Sequence, residues 1–520
     1  MEKKNHEDIL LLEKGKRGLL RLLFGRTGVV ILLLAVQVYL LFAAFMRLGE
    51  YYYTAALVLS LVLALVVTSR QGDPTIKITW ILLFMVAPVF AVPFYFFVEA
   101  ELGHRLARKR LREIGKETQK YAPAKPELIR ELAEQDPGAA SLAAYMEKQA
   151  HHSLYKNSGS KYLSCGEDTF EEIMQQLEKA EKFIFMEYFI IQEGYMWGRI
   201  LSVLERKVRE GVEVRVLYDG TCAVGKVPAG YAKKLRALGI RCQMYAPLRP
   251  FVSTHYNNRD HRKILVVDGR VAFTGGINLA DEYINRRVLF GHWKDTAVMV
   301  TGQAVREFTL MFLQMWNVGE RGPEDYARYL DAAQPVEAQG FILPYGDQPF
   351  DQENVAEMVY VDILNRATRY VHIMTPYLII DNQLMTALTF AAKRGVEVKL
   401  ITPHIPDKAT IFALTRSYYR ELIEAGVEVY EYTPGFVHAK MFTSDDTTAV
   451  VGSINMDYRS LYLHFECAAL LYGCPAVADV ERDMQETLAK CQRVSLEDWA
   501  RRPFMQKLLA WVLRPLAPLM

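Results

Sequence analysis

His261-Arg262-Lys263, four residues, Asp268, six residues, then Gly275-Gly276-Ile277-Asn278: this string decides how the chain is read. It occurs again, with the same spacing, as His438-Ala439-Lys440, Asp445 and Gly452-Ser453-Ile454-Asn455. On a β-strand, side chains alternate faces with period two, so a His and a Lys two positions apart point the same way. The apolar run Ile264-Leu265-Val266-Val267 predicts a strand, and Asp268-Gly269 predicts the turn after it. Residues 271–276 then return as the second arm of a hairpin, bringing Asn278 toward the same edge. The second copy predicts the same hairpin around Asp445-Asp446.

Working outward, the flanks repeat as well. In the first half a helical stretch after Gly166 leads to an apolar strand, residues 183–191. A second helical stretch ends at Gly211 and is followed by a strand at 212–220. In the second half the same order runs through a helical stretch before residue 370, a strand at 370–380, and a strand at 396–404 after Gly395. The tag Gly-Val-Glu-Val stands at 211–214 and at 395–398. A third parallel aligns residues 237–247 with 424–434. Short apolar strands alternating with helices predict parallel α/β sheets, here in a domain present twice.

Length and composition bound the reading. The chain has 520 residues, enough for two or three structural units. Lys and Arg total 62 against 60 for Asp and Glu, which excludes a nucleic-acid binder held by bulk positive charge. The six cysteines form no CxxC pair and stand beside no histidine at zinc-ligand spacing, so neither a disulfide framework nor a zinc site is expected.

The first hundred residues differ from the rest. Residues 29–46, 51–68 and 78–98 carry no charge, and each is about long enough to cross ~30 Å of hydrocarbon. They are the candidate spans of an N-terminal transmembrane region, residues 1–100. Residues 1–26 and 101–120 each hold seven Lys or Arg. The positive-inside rule places both flanks in the cytoplasm, whereas three full spans would separate them. One segment that does not cross would resolve this, and 78–98, with Pro88 and Pro93, is the natural re-entrant piece. Beyond it the expected divisions are a polar helical linker at 101–150, catalytic halves at 151–330 and 331–500, and an apolar, basic helix at 501–520. That last helix either lies on the membrane surface or packs on the domain.

Each half thus offers an imidazole, an ammonium and an amide. A phosphodiester centre gains and redistributes negative charge as it reacts, and preorganised ammonium and amide donors stabilise that charge. One imidazole can attack phosphorus while a second protonates the departing oxygen. Two histidines from two symmetric halves would supply both roles, and the lysines would do the electrostatic work without a metal or other cofactor. The remaining histidines, His464 among them, read as surface or core residues, with His255 and His292 near enough to the motif to line a pocket.

The paired strings resemble the HKD signature of the phospholipase D superfamily. Asn257 to Lys263 and Gly275 to Tyr283, with His292-Trp293-Lys294-Asp295, are similar to the first motif of bacterial cardiolipin synthases. Gly435 to Lys440, Asn455 to Ser460 and Phe465-Glu466 resemble the second. Lys77-Ile78-Thr79-Trp80 with Pro88 is similar to that family's membrane segment. Asn258, Asp260 and Ser453 depart from the pattern and touch none of the His/Lys/Asp set. The resemblance implies two phospholipase D-type α/β/α domains forming one active site, at the bacterial cell membrane in a multi-pass protein. It implies transfer of a phosphatidyl group from one phosphatidylglycerol to another, giving cardiolipin and glycerol through a phosphatidyl-histidine on His261, with His438 as acid and base. Lys263 and Lys440 would hold the phosphoryl oxygens, and Asn278 and Asn455 would donate to them. Asp268 and Asp445 complete the catalytic signature, orienting neighbours more than reacting. Asp295 and Glu466, in matching places after each motif, would line the substrate site and orient the opposite histidine. Hydrolysis, transfer to another alcohol, a nuclease and an inactive scaffold are the alternatives. Motifs alone do not separate transfer from hydrolysis, because both share the first step.

Overall fold

The computed structural model describes residues 53–99, 104–247, 258–320, 322–351 and 353–519, with isolated positions before residue 53. The candidate span 29–46 and the basic stretch 1–26 therefore lie outside the described residues.

In the N-terminal unit residues 53–69 are helical, followed by helices Pro74–Val86 and Pro88–Glu99. The Asp73 carboxylate caps the first of these, accepting from the Thr75 and Ile76 amides at 2.7 and 3.0 Å. The helix stops at Ala87 (φ −141°, ψ 60°), the residue before Pro88, where the proline ring disfavours helical geometry. The chain then doubles back, because Trp80 packs edge-on against Tyr95 with ring centroids 5.0 Å apart. In one straight helix those residues would be ~22 Å apart along the axis. The continuous segment expected at 78–98 is thus a helical hairpin, broken by proline. Among the described residues, no helix is long and apolar enough to cross a membrane.

The larger unit begins at Arg105 and contains two sheets. The first is built from β1 (Ser160–Leu163), β2 (Phe183–Tyr188), β3 (Glu213–Asp219), β4 (Arg241–Tyr245), β5 (Lys263–Val267) and β6 (Val271–Gly275). After the short β7 (His292–Lys294), β8 (Ala297–Thr301) completes it in the order β1-β8-β6-β5-β2-β3-β4. The second half supplies β9 (Phe341–Asp347), β10 (Tyr370–Met374), β11 (Leu378–Ile379), β12 (Glu397–Pro403), β13 (Glu428–Tyr432) and β14 (Gly435–Val437). It continues with β15 (Met441–Ser444), β16 (Thr448–Gly452), β17 (Met456–Asp457), β18 (Glu466–Tyr472) and β19 (Cys491–Arg493). Its sheet runs β19-β13-β12-β10-β15-β16-β18-β9, the first order repeated with one added edge strand. The fold is mixed α/β and duplicated. Within these two sheets, β2-β3-β4 and β10-β12-β13 are parallel, whereas the motif hairpins and their neighbours pair antiparallel. The expectation of parallel sheets holds for the βαβ crossovers alone, since a hairpin forces an antiparallel pair.

Strand β5 shows why the halves join. Ile264 and Val266 enter the core that the two sheets share, whereas Leu265 and Val267 enter an outer core beneath helices Gly166–Glu178 and Tyr195–Arg209. A strand buried on both faces needs an unbroken apolar run, which is what residues 264–267 provide. Helix Val305–Gly319 is apolar almost all round and lies within the shared core, with Phe308, Phe312 and Leu313 fully buried. The stretch read as a linker is helical and docks on this unit. Ile114 and Met146 are fully buried, Gln314 donates to Thr118 at 2.8 Å, and Arg366 pairs with Asp136 at 3.1 Å.

The two motif aspartates lie in the hairpin turns. Asp268 (φ +54°) accepts from the amides of Glu181, Lys182 and Phe183 at 2.7–2.8 Å. Asp445 (φ +53°) does the same for Thr368, Arg369 and Tyr370 at 2.7–3.0 Å. Each carboxylate satisfies the amides where the neighbouring antiparallel strand, β2 or β10, begins, five residues along the chain from its lysine and ~16 Å away. Expected to orient neighbours more than to react, both carboxylates here bind strand-end amides and fasten the sheet. Replacing the buried Asp268 by Ala should lower unfolding free energy by about 2–3 kcal/mol, from hydrogen bonds to a charged group. Urea denaturation of the purified protein measures it, and an unchanged midpoint would contradict the assignment.

Candidate active site

The motif histidines stand ahead of their strands rather than within them, His261 two residues before β5 and His438 three before β15, contrary to the simple alternation argument. The cause is backbone pairing between the halves. Strand β14, just before His438, pairs in parallel with β7 of the first half. Asp260, just before His261, forms a parallel bridge with Phe465 of the second. The His438 amide donates to the Lys294 carbonyl at 2.6 Å, and the His261 amide donates to the Phe465 carbonyl at 2.9 Å. The next residue after each acceptor carbonyl is a carboxylate, Asp295 or Glu466.

Those carboxylates meet the imidazoles. His438 Nδ1 is 2.6 Å from Asp295 Oδ2. His261 Nδ1 is 2.8 Å and 3.0 Å from the two Glu466 oxygens. With Nδ1–H donated to a carboxylate, each ring keeps its Nε2 lone pair for chemistry. Both carboxylates are fully buried against these imidazoles. Gly276 makes room for one of them: a Cβ there would stand 2.0 Å from Asp295 Oδ1. In the second half Ser453 occupies the corresponding place, and its hydroxyl donates to Glu466.

Lys263 and Lys440 are buried, and each ammonium donates to the carbonyl of its own motif histidine. Lys440 Nζ also lies 2.9 Å from His438 Nδ1. Burial pushes Lys263 down to about 8. It pushes Lys440 down to about 7, with the charge of Lys263 acting in the same direction. Burial lifts Asp295 and Glu466 to about 7. Burial and the two lysines hold both histidines well below the ordinary imidazole range. The six groups form a coupled set whose charges adjust around neutrality.

The two motif asparagines differ. Asn278 Oδ1 accepts from the Ile190 amide at 3.0 Å, and its NH2 donates to the Tyr283 hydroxyl at 2.8 Å. It braces the loop after β2 and the tyrosine beside His438, whose ring is 5.4 Å away. Asn455 is buried, and its unpartnered Oδ1 can accept from a donor such as a hydroxyl. His292 is exposed and accepts from, or donates to, the Tyr432 hydroxyl at 3.0 Å; His255 lies outside the described residues.

Two features of the site carried no sequence signal. His464 stands 5.5 Å from the His261 ring, 3.9 Å from Glu466, with both ring nitrogens unpartnered. With His261 and Glu466 it makes the one His/carboxylate cluster among the described residues whose ligand atoms lie within 4.8 Å of one another. No clustering in sequence announces it, since the two histidines come from different halves. The second is the buried pair of Lys294 with Asp483, at 2.6 and 2.8 Å, with Tyr162 donating to Asp483 at 2.7 Å. It clamps the residue next to Asp295 onto helix Ala476–Leu488.

Two depressed lysines define how such a site meets an anion. A phosphodiester prefers the charged ammonium, so binding raises both lysines and takes up protons. Affinity is full below their values and falls as pH rises through about 7 and 8. Titration calorimetry with glycerophosphoglycerol at pH ~6.5 and ~9 should show at least a ~10-fold loss at the higher pH. Equal affinity at both would contradict the reading of the lysines.

Comparison with known proteins agrees with this geometry. The family profile described as cardiolipin synthase, PLD-like domain, matches residues 173–316 and 360–488. A cardiolipin synthase of Geobacillus kaustophilus is 34% identical over 88% of this chain and 91% of its own length. One of Alkalihalophilus pseudofirmus is 32% identical over 88% and 92%. An uncharacterized protein of Streptococcus mutans is 48% identical over 88% of this chain and 99% of its own. Among solved structures, phosphatidylserine synthase of Haemophilus influenzae shares the fold, with TM-score 0.55 at 15% identity over 69% of this chain and 93% of that one. The chain belongs to the cardiolipin synthase family, built on phospholipase D-like domains, and is a phosphatidyltransferase.

Proposed function

We propose that the protein makes cardiolipin from two molecules of phosphatidylglycerol through a phosphatidyl-histidine intermediate. The observation that carries the reading is the reciprocal pairing of His261 with Glu466 and His438 with Asp295, beside two buried lysines. His261 Nε2 attacks phosphorus, the bond from phosphorus to the glycerol oxygen breaks, and that oxygen takes from His438 Nε2 a proton that the ring picks up from solvent when the anionic lipid binds. Glycerol leaves. The terminal hydroxyl of a second phosphatidylglycerol then gives its proton to His438 while its oxygen attacks phosphorus. The phosphorus–nitrogen bond breaks, and free His261 returns with cardiolipin as product. The reverse sequence is chemically equivalent, so the exchange is reversible.

The assignment of His261 as nucleophile is supported by its carboxylate. Glu466 contacts Nδ1 through both oxygens and is itself held by Ser453, a fixed counter-charge for a phosphorylated imidazole. Lys440 beside His438 Nδ1 favours loss of a proton from that ring, which suits an acid and base. Lys263, Lys440 and Asn455 hold the phosphoryl oxygens. The uncharged stretches in residues 1–100, with the hairpin at Pro74–Glu99, anchor the enzyme in the cell membrane beside its lipid substrate.

The test is product analysis of the purified full chain in phosphatidylglycerol vesicles with a metal chelator present. Cardiolipin with an equal amount of free glycerol is the expected result. Phosphatidic acid and glycerol without cardiolipin would make water the acceptor and overturn the transferase reading. His261→Ala and His438→Ala should each lower cardiolipin formation at least ~1000-fold; near-normal turnover in either would refute a two-histidine mechanism.

A further inference from the structure

A cavity of about 220 Å³ is lined by Tyr377, Ile379, Lys408, Ile411, Asp457, Arg459 and Ala517 among others. Its walls are mainly apolar, yet Arg459 projects into it. The Arg459 carbonyl accepts from the His464 amide at 2.8 Å, but among the described residues its guanidinium makes no hydrogen bond or ion pair; burial lowers it from the ordinary guanidinium range, against the opposing charge of Asp457 in the same cavity wall. Elsewhere in this unit the enclosed arginines Arg215 and Arg262 are each held by carboxylates at 2.6–2.7 Å. An enclosed guanidinium left unpaired is a site built for an anion that arrives from outside.

Ring contacts lead from the cavity wall toward His438. Tyr377 packs on Phe436, and Phe436 packs on His438, with centroids 6.4 and 5.9 Å apart. On the other side the charge of Arg459 reaches His464, whose unpartnered ring stands over His261. Ala517 belongs to the C-terminal turn that follows helix Phe504–Leu513. That helix exposes an apolar strip, with Phe504 at 72%, Met505 at 69% and Trp511 at 75% exposure. A soluble anion needs no such strip; a diacyl lipid does.

We infer that this cavity seats the second, acceptor phospholipid, with Arg459 binding its phosphodiester and the Ile379, Ile411 and Ala517 wall taking the start of its acyl chains. The inference rests on the proposed transfer between two lipids. That chemistry requires it: the two phosphates of cardiolipin are separated only by the bridging glycerol. While Lys263 and Lys440 hold the reacting phosphate, the acceptor's own phosphate needs a cation close by.

Two activities of the full chain in phosphatidylglycerol vesicles separate the sites. Exchange of labelled glycerol into phosphatidylglycerol uses the donor lipid alone, and cardiolipin formation needs both lipids. Arg459→Gln should lower the ratio of cardiolipin formation to glycerol exchange at least ~10-fold, with partial recovery in Arg459→Lys. Ile411→Trp, which fills the cavity without removing a charge, should shift the ratio the same way. Equal loss of both activities in both variants, or an unchanged ratio, would overturn the inference. Failure of the wild-type protein to form any cardiolipin, with exchange intact, would instead refute the underlying transferase reading.

Discussion

The structure depends on one reciprocal exchange between the two halves. Each motif histidine donates its backbone amide to the other half, and the residue after that acceptor turns its carboxylate onto the same histidine's ring. A single pair of backbone hydrogen bonds therefore sets where the histidine sits, which tautomer it holds and which half supplies its partner. Neither half contains a complete set. The duplication is thus a functional requirement, because a half standing alone would present a histidine without a carboxylate and a carboxylate without a histidine.

Everything around this exchange serves to hold it still. The sheets share a core filled by helix Val305–Gly319, so the hairpins cannot slide past one another without opening close-packed side chains. Asp268 and Asp445 fix the distant ends of the motif strands, and Lys294 with Asp483 fixes the segment carrying Asp295. Two ammonium groups and two carboxylates are kept in this low-dielectric setting with no excess of either sign. The carboxylates then balance the lysines before substrate arrives, and the anionic substrate shifts that balance toward protonated lysine.

Much of this was legible in the sequence, and for a definite reason. Strand-scale patterns such as Ile264-Leu265-Val266-Val267, and the in-register repeat of His, Lys, Asp and Asn, are local signals that survive in one dimension. The helices and strands of both halves fall where the apolar runs place them. What the sequence could not carry were contacts between distant segments. His464 reads as an ordinary histidine until β18 folds beside His261. Lys294 and Asp483 have no common pattern to reveal them. Helix His104–Thr118 looks like a charged linker because its buried positions, such as Ile114, are few. The aspartates of the motif drew attention by their spacing to histidine, yet that spacing measures the length of a strand and hence the position of a turn. Pro88 signalled a break, and the hairpin at Trp80 and Tyr95 is its consequence.

The central claim is that one histidine of the pair becomes covalently bound to phosphorus while the other only moves protons. A phosphatidyl ester of p-nitrophenol separates these roles, because its leaving group needs no protonation. Rapid mixing of this lipid with the His438→Ala protein, followed by mass analysis of the quenched chain, is the most direct test. The account predicts a burst of one p-nitrophenolate per chain and a phosphatidyl group on the peptide containing His261. A burst in His261→Ala with the adduct on His438, or no burst in either variant, would contradict it.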